Sequence, residues 1–319
     1  MKVLITGAAG FIGQLLAKEL LADPEHELVL VDIVEPPVPA GCKYPGNAKT
    51  IKTDLTKSAS TIITPDIDAV YVFHGIMSAG AEANFELGMS ANIDATRALF
   101  EAIRLSGKPT PIRVLYASSQ AVYGMPTPDI VTEAVVPTPE SSYGAQKLIC
   151  EALINDYTRR GFFDGFAFRF PTISVRPGKP TAAASSFLSG MIREPLNGLP
   201  CEIPIENRKF AHWICSPRTL VANLIYALTM PSDAAPKHIR VVNLPGIGVT
   251  VQEMIDALEA IGGKEAVALL SEKDVPELRE ILYSWPPNFD NKRAYDMGFK
   301  PDQPFVDTVK DYYENFVKK

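Results

Sequence analysis

Residues 7–13, with the sequence GAAGFIG, constrain the fold of this chain more than any other segment. They follow a short apolar run rich in β-forming residues, Lys2–Thr6, and open a segment with apolar residues at helical spacing, Phe11–Leu21. Glycine allows a tight turn, the close approach of backbone N–H groups to a phosphate, and the packing of helix on strand. The helix N-terminus adds partial positive charge. A pyrophosphate is therefore predicted to bind Gly7, Gly10, Phe11, Ile12 and Gly13.

The rest of the first half alternates strand-like and helix-like segments. Further strands are predicted at Glu27–Ile33, Ile51–Thr53, Ala69–Phe73, Ile112–Ala117 and Gly165–Phe170, and two long helices at Ala81–Leu105 and Ser141–Arg160. Strands that are apolar on both faces and separated by helices imply a parallel sheet covered on both sides. Because crossovers between parallel strands are right-handed, the predicted fold class is α/β, a doubly wound parallel sheet of the Rossmann type.

An acid stands at the distance from the glycine turn that dinucleotide binding requires. Asp32 closes the second predicted strand, about 20 residues on, where a carboxylate accepts both ribose hydroxyls. It would repel a 2′-phosphate, and no Arg or Lys follows it in DIVEPP, which favours NAD over NADP. Asp54-Leu55 follows the third strand, where an acid in such folds commonly meets the adenine ring. A helix N-cap or turn aspartate is the alternative for Asp54.

The sequence changes in character after Pro171, where prolines and glycines become frequent. Two later helices are still predicted, one after an N-cap at Ser216 and one after a capping box formed by Thr250 and Glu253. The expected division is an NAD-binding Rossmann domain at 1–172 with a segment returning to its sheet near 210–245, and a smaller C-terminal substrate-binding lobe at 173–209 and 246–319.

Tyr143 and Lys147 are four residues apart, which places them on one helical face, one turn apart. A free phenol has a pKa of about 10, which a nearby ammonium and a positive nicotinamide would lower. Tyr143 can then take a hydroxyl proton as a hydride leaves for the cofactor, and Lys147 would also hold the nicotinamide ribose. The pair Ser118-Ser119 supplies a hydroxyl for the substrate oxygen. Together with the glycine turn and Asp32, these residues predict an NAD-dependent oxidoreductase.

In order and spacing these motifs resemble the extended short-chain dehydrogenase/reductase superfamily, the NAD-dependent epimerase/dehydratase family. The resemblance implies that Ser119 in SSQAVYG is the active serine, with Tyr143 and Lys147 as its catalytic partners. It also implies that Asn92 belongs to the cofactor site, because the family's helix asparagine usually supports the lysine through backbone and water.

Two departures from the nucleotide-sugar members of the family point to a smaller substrate. Thr172 stands where those members usually carry a substrate-touching asparagine, and the stretch 211–218, AHWICSPR, lacks a diphosphate-pairing arginine. Losing that arginine removes charge-assisted hydrogen bonds that a large anion would use. Runs such as FAFRFPTISVRPGKP and SWPPNFD resemble the D-erythronate dehydrogenase branch. That resemblance implies NAD-linked oxidation of a four-carbon sugar acid at its C2 hydroxyl.

A carboxylate substrate needs a cationic or N–H-rich partner, and Arg176 is the candidate, with Ser186 and Ser78 as polar neighbours. A structural ion pair is the alternative for Arg176, and capping or loop roles are the alternatives for the two serines. The residues expected at the substrate are Ser78, Ser119, Thr172, Arg176 and Ser186.

Charge and composition argue against several other classes of protein. The formal net charge is −6 and no Lys/Arg run stands out, so nucleic acid is not an expected partner. No apolar stretch approaches the roughly 20 residues that span a bilayer, so no membrane partner is expected. Four scattered cysteines without CxxC spacing and the lack of a signal peptide indicate a cytoplasmic protein. His212 and Cys215 lack a second pair, so no metal is expected.

Several alternative functions are also compatible with the sequence. A nucleotide-sugar epimerase or dehydratase with tightly bound NAD would use the same machinery, and so would a ketone reductase in a biosynthetic route. A non-catalytic NAD-sensing protein is the alternative outside enzymes, although such proteins tend to lose the tyrosine or the lysine. Relatives commonly pair through the two long helices, which predicts a homodimer.

Overall fold

The fold is taken from a computed structural model, and the structure describes residues 1–179 and 184–318. The backbone of Val131 pairs with Asn288 and Asp290 at 3.0 and 2.9 Å. These hydrogen bonds join the segment Tyr123–Glu140 to residues late in the chain, whereas the predicted Rossmann domain at 1–172 includes that segment. The chain forms two compact units, the first made of Met1–Val122, Ser141–Arg169 and Val221–Val242, and the second of Tyr123–Glu140, Phe170–Leu220 and Asn243–Lys319.

One large sheet carries the first unit. Its strands are Lys2–Thr6 (β1), Glu27–Asp32 (β2), Ala48–Lys52 (β3), Ala69–Val72 (β4), Arg113–Ser119 (β5), Asp164–Phe170 (β6) and Val241–Asn243 (β10). They lie in the order β10-β6-β5-β4-β1-β2-β3, and the neighbours from β3 to β5 pair in parallel. This order confirms the predicted doubly wound α/β fold. Its outermost strand next to β6, β10, comes from late in the chain. The third strand begins earlier than predicted, at Ala48.

Helices surround this sheet. They are Phe11–Leu20 (α1), Leu55–Ile62 (α2), Ser78–Ala83 (α3), Phe85–Gly88 (α4), Ala95–Arg104 (α5), Ser142–Arg159 (α6) and Pro217–Thr229 (α8). Leu4, Val70 and Val114 of the strands are fully buried in one apolar cluster with Leu99 of α5 and Ile154 of α6. Burial of these side chains is the main favourable contribution to the stability of the unit.

The prediction of one helix over Ala81–Leu105 is wrong, because the structure divides this region into α3, α4, a π-helical segment Met89–Asp94 and α5. The first break falls at Asn84, whose backbone is extended (φ −141°, ψ 91°) and whose side chain accepts from Leu87 N at 2.9 Å. Asparagine favours caps over helix interiors because its amide competes for backbone groups. The apolar periodicity runs through the break and so gives no indication of it.

The other predicted helix starts are confirmed. Ser141 caps α6 by accepting from Gly144 N at 3.2 Å. The hydroxyl of Ser216 accepts from Thr219 N at 3.1 Å at the start of α8. In both helices a serine oxygen satisfies one of the N–H groups that the first turn leaves without an intrahelical partner.

The second unit contains two small sheets. Its strands are Thr172–Ile173 (β7), Cys201–Ile203 (β8), Ala211–Cys215 (β9), Ile247–Thr250 (β11) and Leu270–Glu272 (β12), and its helices are Phe187–Leu196 (α7), Val251–Val267 (α9), Pro276–Tyr283 (α10), Lys292–Asp296 (α11) and Phe305–Tyr312 (α12). The sheets have the orders β11-β9-β7 and β12-β8. The predicted capping box of Thr250 and Glu253 opens α9, which continues past a kink at Gly263 (φ 72°).

Three further observations concern the described part of the chain. None of its helices combines the length and the apolar character that crossing a membrane requires. In the same residues, no three His, Cys, Asp or Glu side chains come together in a group that could hold a metal ion. Cys42, Cys150, Cys201 and Cys215 are free thiols.

Candidate active site

Two glycines of the segment after β1, Gly7 and Gly13, leave no room for a side chain. Gly7 has a φ of +67°, and a Cβ there would lie 2.6 Å from the carbonyl carbon of Phe73. A Cβ on Gly13 would lie 2.6 Å from the carbonyl oxygen of Gly7. Both distances are far below van der Waals contact, so glycine is what allows β1, the turn and α1 to approach one another.

The N-terminus of α1 is free of side-chain caps. Gly10 is the N-cap residue and its N–H donates to Gly7 O at 3.0 Å, but no side chain accepts from the first turn. The first N–H groups of a helix have no intrahelical partner. The backbone of Phe11 and Ile12 therefore offers the donors and the partial positive charge that a phosphate requires.

Asp32 lies at the end of β2 and against the glycine turn. Its carboxylate accepts from Ala9 N at 3.0 Å. A second side chain also holds the turn, and the sequence analysis did not single it out. The amide nitrogen of Gln14 donates to Ala8 O at 2.7 Å and to Pro37 O at 2.9 Å. The turn and the segment that follows β2 are thus fixed to each other by two polar side chains, of which only Asp32 stood out in the sequence.

Asp54 adopts the alternative role considered for it, that of a helix N-cap. Its carboxylate accepts from Thr56 N at 3.0 Å and from the Thr56 hydroxyl at 2.7 Å, and the hydroxyl bond is the main cause of the lowered pKa of Asp54. Leu55 begins α2 and is buried. A contact of Asp54-Leu55 with adenine stays a prediction.

The structure brings the three residues predicted to be catalytic together in the first unit. Ser119 ends β5, and its hydroxyl lies close enough to the phenol of Tyr143, near the start of α6, to lower the pKa of that phenol. One turn further along α6, the ammonium of Lys147 donates to Ala117 O at 2.7 Å and lies 5.5 Å from the centre of the Tyr143 ring. Tyr143 is 7% exposed and Lys147 is 5% exposed, so the cluster is almost closed to water.

Burial dominates the protonation of this cluster. It raises the pKa of Tyr143 to about 12, although the hydrogen bond with Ser119 lowers it. It lowers the pKa of Lys147 to about 8, against the Cys150 thiol and the Glu151 carboxylate, which raise it. The sequence-based expectation of a lowered phenol pKa is therefore not met in the protein alone. The cause is that Tyr143 packs among apolar side chains, which disfavours phenolate.

Ser118 and Ser119 have different partners, which separates the two candidates for the active serine. The hydroxyl of Ser118 is buried and donates to Glu151 Oε1 at 2.5 Å. Ser119 is only partly buried and accepts from Ala121 N at 3.1 Å beside the Tyr143 phenol. This geometry agrees with the choice of Ser119 that the family resemblance implied.

Asn92 lies in the π-helical segment, and its side chain is fully engaged by the protein. Its amide oxygen accepts from Ile76 N at 2.7 Å, while its nitrogen donates to Ile76 O at 3.0 Å and to Gln146 Oε1 at 2.7 Å. The Asn92 carbonyl accepts from the Cys150 thiol at 3.3 Å. Asn92 thus links the segment after β4 to α6 on either side of Lys147, and direct contact with a cofactor stays a prediction.

The expected substrate residues belong to both units. Ser78 begins α3 in the first unit, directly after the N-cap residue Met77. In the second unit, Thr172 is hydrogen-bonded to the Nε2 atom of His212 at 2.8 Å. Ser186 directly precedes α7, and its side chain does not cap that helix. Their contacts with a substrate stay predictions.

Arg176, also in the second unit, is a partly buried cation close to another cation. Burial lowers the pKa of Arg176, and the neighbouring charge of Arg193 lowers it further. Arg193 itself is paired with Glu194 at 2.6 Å and donates to the Arg176 carbonyl at 2.9 Å. No carboxylate pairs with the Arg176 guanidinium among residues 1–179 and 184–318. The alternative of a structural ion pair therefore has no acidic partner in that range.

Comparison with known proteins agrees with this geometry. The sequence profile of the NAD dependent epimerase/dehydratase family matches residues 3–237. A Haemophilus influenzae protein named D-erythronate dehydrogenase is 38% identical over 98% of this chain and 99% of its own. Its namesake in Cupriavidus necator is 41% identical over 99% of this chain and 98% of its own. A solved structure described as a nucleoside-diphosphate-sugar epimerase, from Agrobacterium tumefaciens, is 36% identical with a TM-score of 0.92, covering 99% of this chain and 94% of that one.

The Rossmann sheet, the glycine turn and the buried Ser-Tyr-Lys cluster define a dinucleotide-dependent enzyme. The chain belongs to the NAD-dependent epimerase/dehydratase family, the extended short-chain dehydrogenases/reductases, and NAD is its cofactor. The described residues fit that cofactor, because the uncapped start of α1 suits the pyrophosphate and Asp32 at the end of β2 suits an unphosphorylated ribose. The predictions of family, fold class and cofactor are confirmed.

Replacing Gly7 by Ala should remove NAD binding and destabilise the protein. Gly41 provides a matched control, because its φ of +71° is similar while a Cβ there would meet nothing within 4 Å. Gly41→Ala should cost about 1 kcal/mol of unfolding free energy from backbone strain alone. Gly7→Ala should cost roughly 2 kcal/mol more, from the collision with Phe73. Denaturant unfolding and calorimetric titration with NAD measure both effects, and equal losses in the two variants would contradict this account of Gly7.

Proposed function

We propose that the protein is an NAD-dependent dehydrogenase that oxidises a secondary hydroxyl group of a small hydroxy acid or sugar acid resembling D-erythronate. The observation that carries the proposal is the buried cluster in which Ser119, Tyr143 and Lys147 lie together. The two relatives named D-erythronate dehydrogenase, similar over nearly the whole chain, support the substrate class.

The cluster can bind and deprotonate an alcohol. The Ser119 hydroxyl and the Tyr143 phenol lie close together, so both can contact one substrate oxygen. With a pKa of about 12, the phenol is protonated at neutral pH, so it is ready to donate a proton to a ketone. To take a proton from an alcohol it needs additional positive charge nearby. Bound NAD supplies that charge together with the acceptor for the hydride.

Lys147 keeps its charge under the conditions in which the cluster works. Its pKa of about 8 leaves most of the ammonium protonated at pH 7. This charge favours the phenolate of Tyr143 whenever the proton leaves. Its hydrogen bond to Ala117 O also fixes the side chain against the end of β5. In the proposed reaction the phenolate form of Tyr143 would accept the O–H proton of the alcohol, NAD would accept the C–H hydride, and the alcohol would become a ketone.

Arg176 supports the choice of an acid as the substrate. A partly buried guanidinium next to Arg193 is a favourable place for an anion, because a negative charge would offset the repulsion between the two cations. Guanidinium groups bind carboxylates through two parallel hydrogen bonds. We assign the substrate carboxylate to Arg176, with Thr172, Ser186 and Ser78 as polar contacts. The second unit then acts as the substrate-binding lobe.

An epimerase of nucleotide sugars is the second candidate. The name given to the Agrobacterium tumefaciens protein favours it. An epimerase returns the hydride to its substrate, so it would produce no net NADH. A ketone reductase would use the same residues in the opposite direction. Assays for NADH with hydroxy acids, sugar alcohols and sugar nucleotides therefore separate the three activities.

We also propose that the protein is a cytoplasmic homodimer. The cytoplasmic location rests on the scattered spacing of the cysteines. The dimer rests on exposed apolar side chains along the helices predicted to pair, among which Phe85 of α4 is 60% exposed and Ile149 of α6 is 45% exposed. Large apolar side chains exposed on neighbouring helices are typical of a surface that a partner covers.

Tyr143→Phe should lower kcat for D-erythronate oxidation by about a thousandfold, because it removes the only proposed proton acceptor. The affinity for NAD, measured by calorimetry, should be unchanged. Tyr157→Phe on the same helix is the control, since its hydroxyl bonds to Glu101 rather than to the cluster. Comparable turnover in Tyr143→Phe and in the Tyr157→Phe control would contradict the proposed mechanism.

Arg176→Gln should raise KM for D-erythronate roughly thirtyfold, which corresponds to about 2 kcal/mol for a charged hydrogen bond. Turnover of erythritol, a neutral polyol of similar size, should change little because it has no carboxylate. Arg208→Gln is the control in the same unit, since Arg208 is exposed and paired with Glu272. If the acid and the polyol were affected alike, Arg176 would not be the carboxylate partner.

Ile149→Glu should convert a dimer into a monomer, because it places a charge in the proposed apolar interface. Sedimentation should then report a mass near 34.8 kDa instead of twice that value. Ile239→Glu is the control, since Ile239 is similarly exposed at 42% but lies outside the proposed helices. A wild-type protein that sediments as a monomer would exclude the dimer.

A further inference from the structure

A buried ion pair lies behind the catalytic cluster, and no step of the proposed reaction uses it. Glu151 of α6 and Arg169 of β6 are 2% and 5% exposed. Arg169 Nε donates to Glu151 Oε1 at 2.9 Å, and Arg169 Nη2 donates to Glu151 Oε2 at 2.6 Å. This is the two-point geometry that fixes a carboxylate most firmly. Glu151 Oε1 also accepts the hydroxyl of Ser118 at 2.5 Å.

The position of Glu151 on α6 relates it to the catalytic residues. Tyr143, Lys147 and Glu151 are each four residues apart, so they lie along one face of the helix on successive turns. Each contacts a residue at the end of β5. The Tyr143 phenol lies beside the Ser119 hydroxyl, Lys147 donates to Ala117 O, and Glu151 accepts from Ser118. Three consecutive residues of the strand are therefore held by three consecutive turns of the helix.

The energetics of the ion pair argue for a role other than stability. Two charges lose a large hydration energy on burial, and apolar residues of similar volume are often as stabilising as a buried ion pair. An apolar pair between α6 and β6 could fill the same space. It could not accept the Ser118 hydroxyl, which would then be buried without a partner at the residue next to Ser119.

We propose that Glu151, fixed by Arg169, is a positioning residue of the active site. By accepting the Ser118 hydroxyl it holds the end of β5 in the orientation that directs Ser119 to Tyr143. This inference rests on the proposed function, because it takes Ser119 and Tyr143 as the residues that contact substrate. Loss of the Ser118 contact displaces Ser119 while leaving the glycine turn after β1 and Asp32 at the end of β2 intact. The rate of the chemical step therefore falls, while the affinity for NAD stays the same.

Two double variants isolate the hydrogen bond from the charges. Glu151→Leu with Arg169→Met removes both charges and leaves Ser118 without an acceptor. Glu151→Gln with Arg169→Met removes both charges but keeps an amide oxygen for Ser118. The Leu/Met protein should lose about tenfold in kcat, the scale expected for a small misplacement of a reacting group, with KM for NAD unchanged. The Gln/Met protein should recover most of that kcat.

A milder variant and two controls complete the test. Ser118→Ala removes the same hydrogen bond without touching the ion pair, and it should reproduce the kcat loss of the Leu/Met protein even if that protein folds poorly. Thr158→Val removes a buried hydroxyl that accepts from Gly165 N at 3.0 Å, further along the same helix. It should lower the melting temperature and leave kcat unchanged. Tyr143→Phe, assayed in parallel, reports on the proposed function itself.

The outcomes separate the two proposals. Wild-type kcat in Ser118→Ala, or equal kcat in the Leu/Met and Gln/Met proteins, would overturn the positioning role of Glu151. If Tyr143→Phe is inactive in the same assay, the proposed function stands regardless of that result. If Tyr143→Phe keeps its turnover, the proposed function fails first, and the inference fails with it.

Discussion

The hydrogen bond from the buried Lys147 ammonium to Ala117 O, at 2.7 Å, is the interaction on which the rest of the site depends. It joins α6 to the end of β5 at the point where both contribute reacting groups. An unpaired ammonium could not stay charged at this depth, because burial alone disfavours its charged form. The carbonyl that accepts it belongs to the strand that carries Ser119. The same contact therefore gives the buried ammonium a hydrogen-bond acceptor and joins Tyr143's helix to the strand of Ser119.

The sheet places this cluster and the glycine turn at the same edge. β1 and β5 flank β4 and run parallel to it. Gly7, directly after β1, and Ser119, the last residue of β5, therefore lie at the carboxyl ends of strands separated by a single neighbour. Ligands of open parallel sheets bind outside these ends. The segment after β4 contacts both the glycine turn and the catalytic cluster, where Ile76 packs against the apolar group that contains Tyr143. The Phe73 backbone approaches Gly7, and His74 is hydrogen-bonded to Thr6 at 2.8 Å.

Most features of the site that follow from local sequence patterns could be predicted, whereas contacts between distant residues could be predicted only where the family resemblance implied them. The turn at Gly7, the spacing of Tyr143 and Lys147 and the capping box at Thr250 follow from local geometry, and the structure contains all of them. The helix break at Asn84 was not predicted, because it depends on capping by the Asn84 side chain while the apolar pattern continues through it. The ion pair of Glu151 was not predicted either. Eighteen residues separate it from Arg169, and only the fold reveals that they pair.

The pKa values of the cluster explain why its chemistry depends on charge brought by ligands. Burial raises the pKa of Tyr143 to about 12 and lowers the pKa of Lys147 to about 8, so it opposes the charged form of each. Separately, each group would be neutral more readily than in water. A negative charge near Lys147 and a positive charge near Tyr143 oppose this tendency. The protein provides the first, since Cys150 and the Glu151 carboxylate raise the pKa of Lys147, although burial outweighs them. The second must come from what the site binds, which makes proton transfer at Tyr143 conditional on an occupied site.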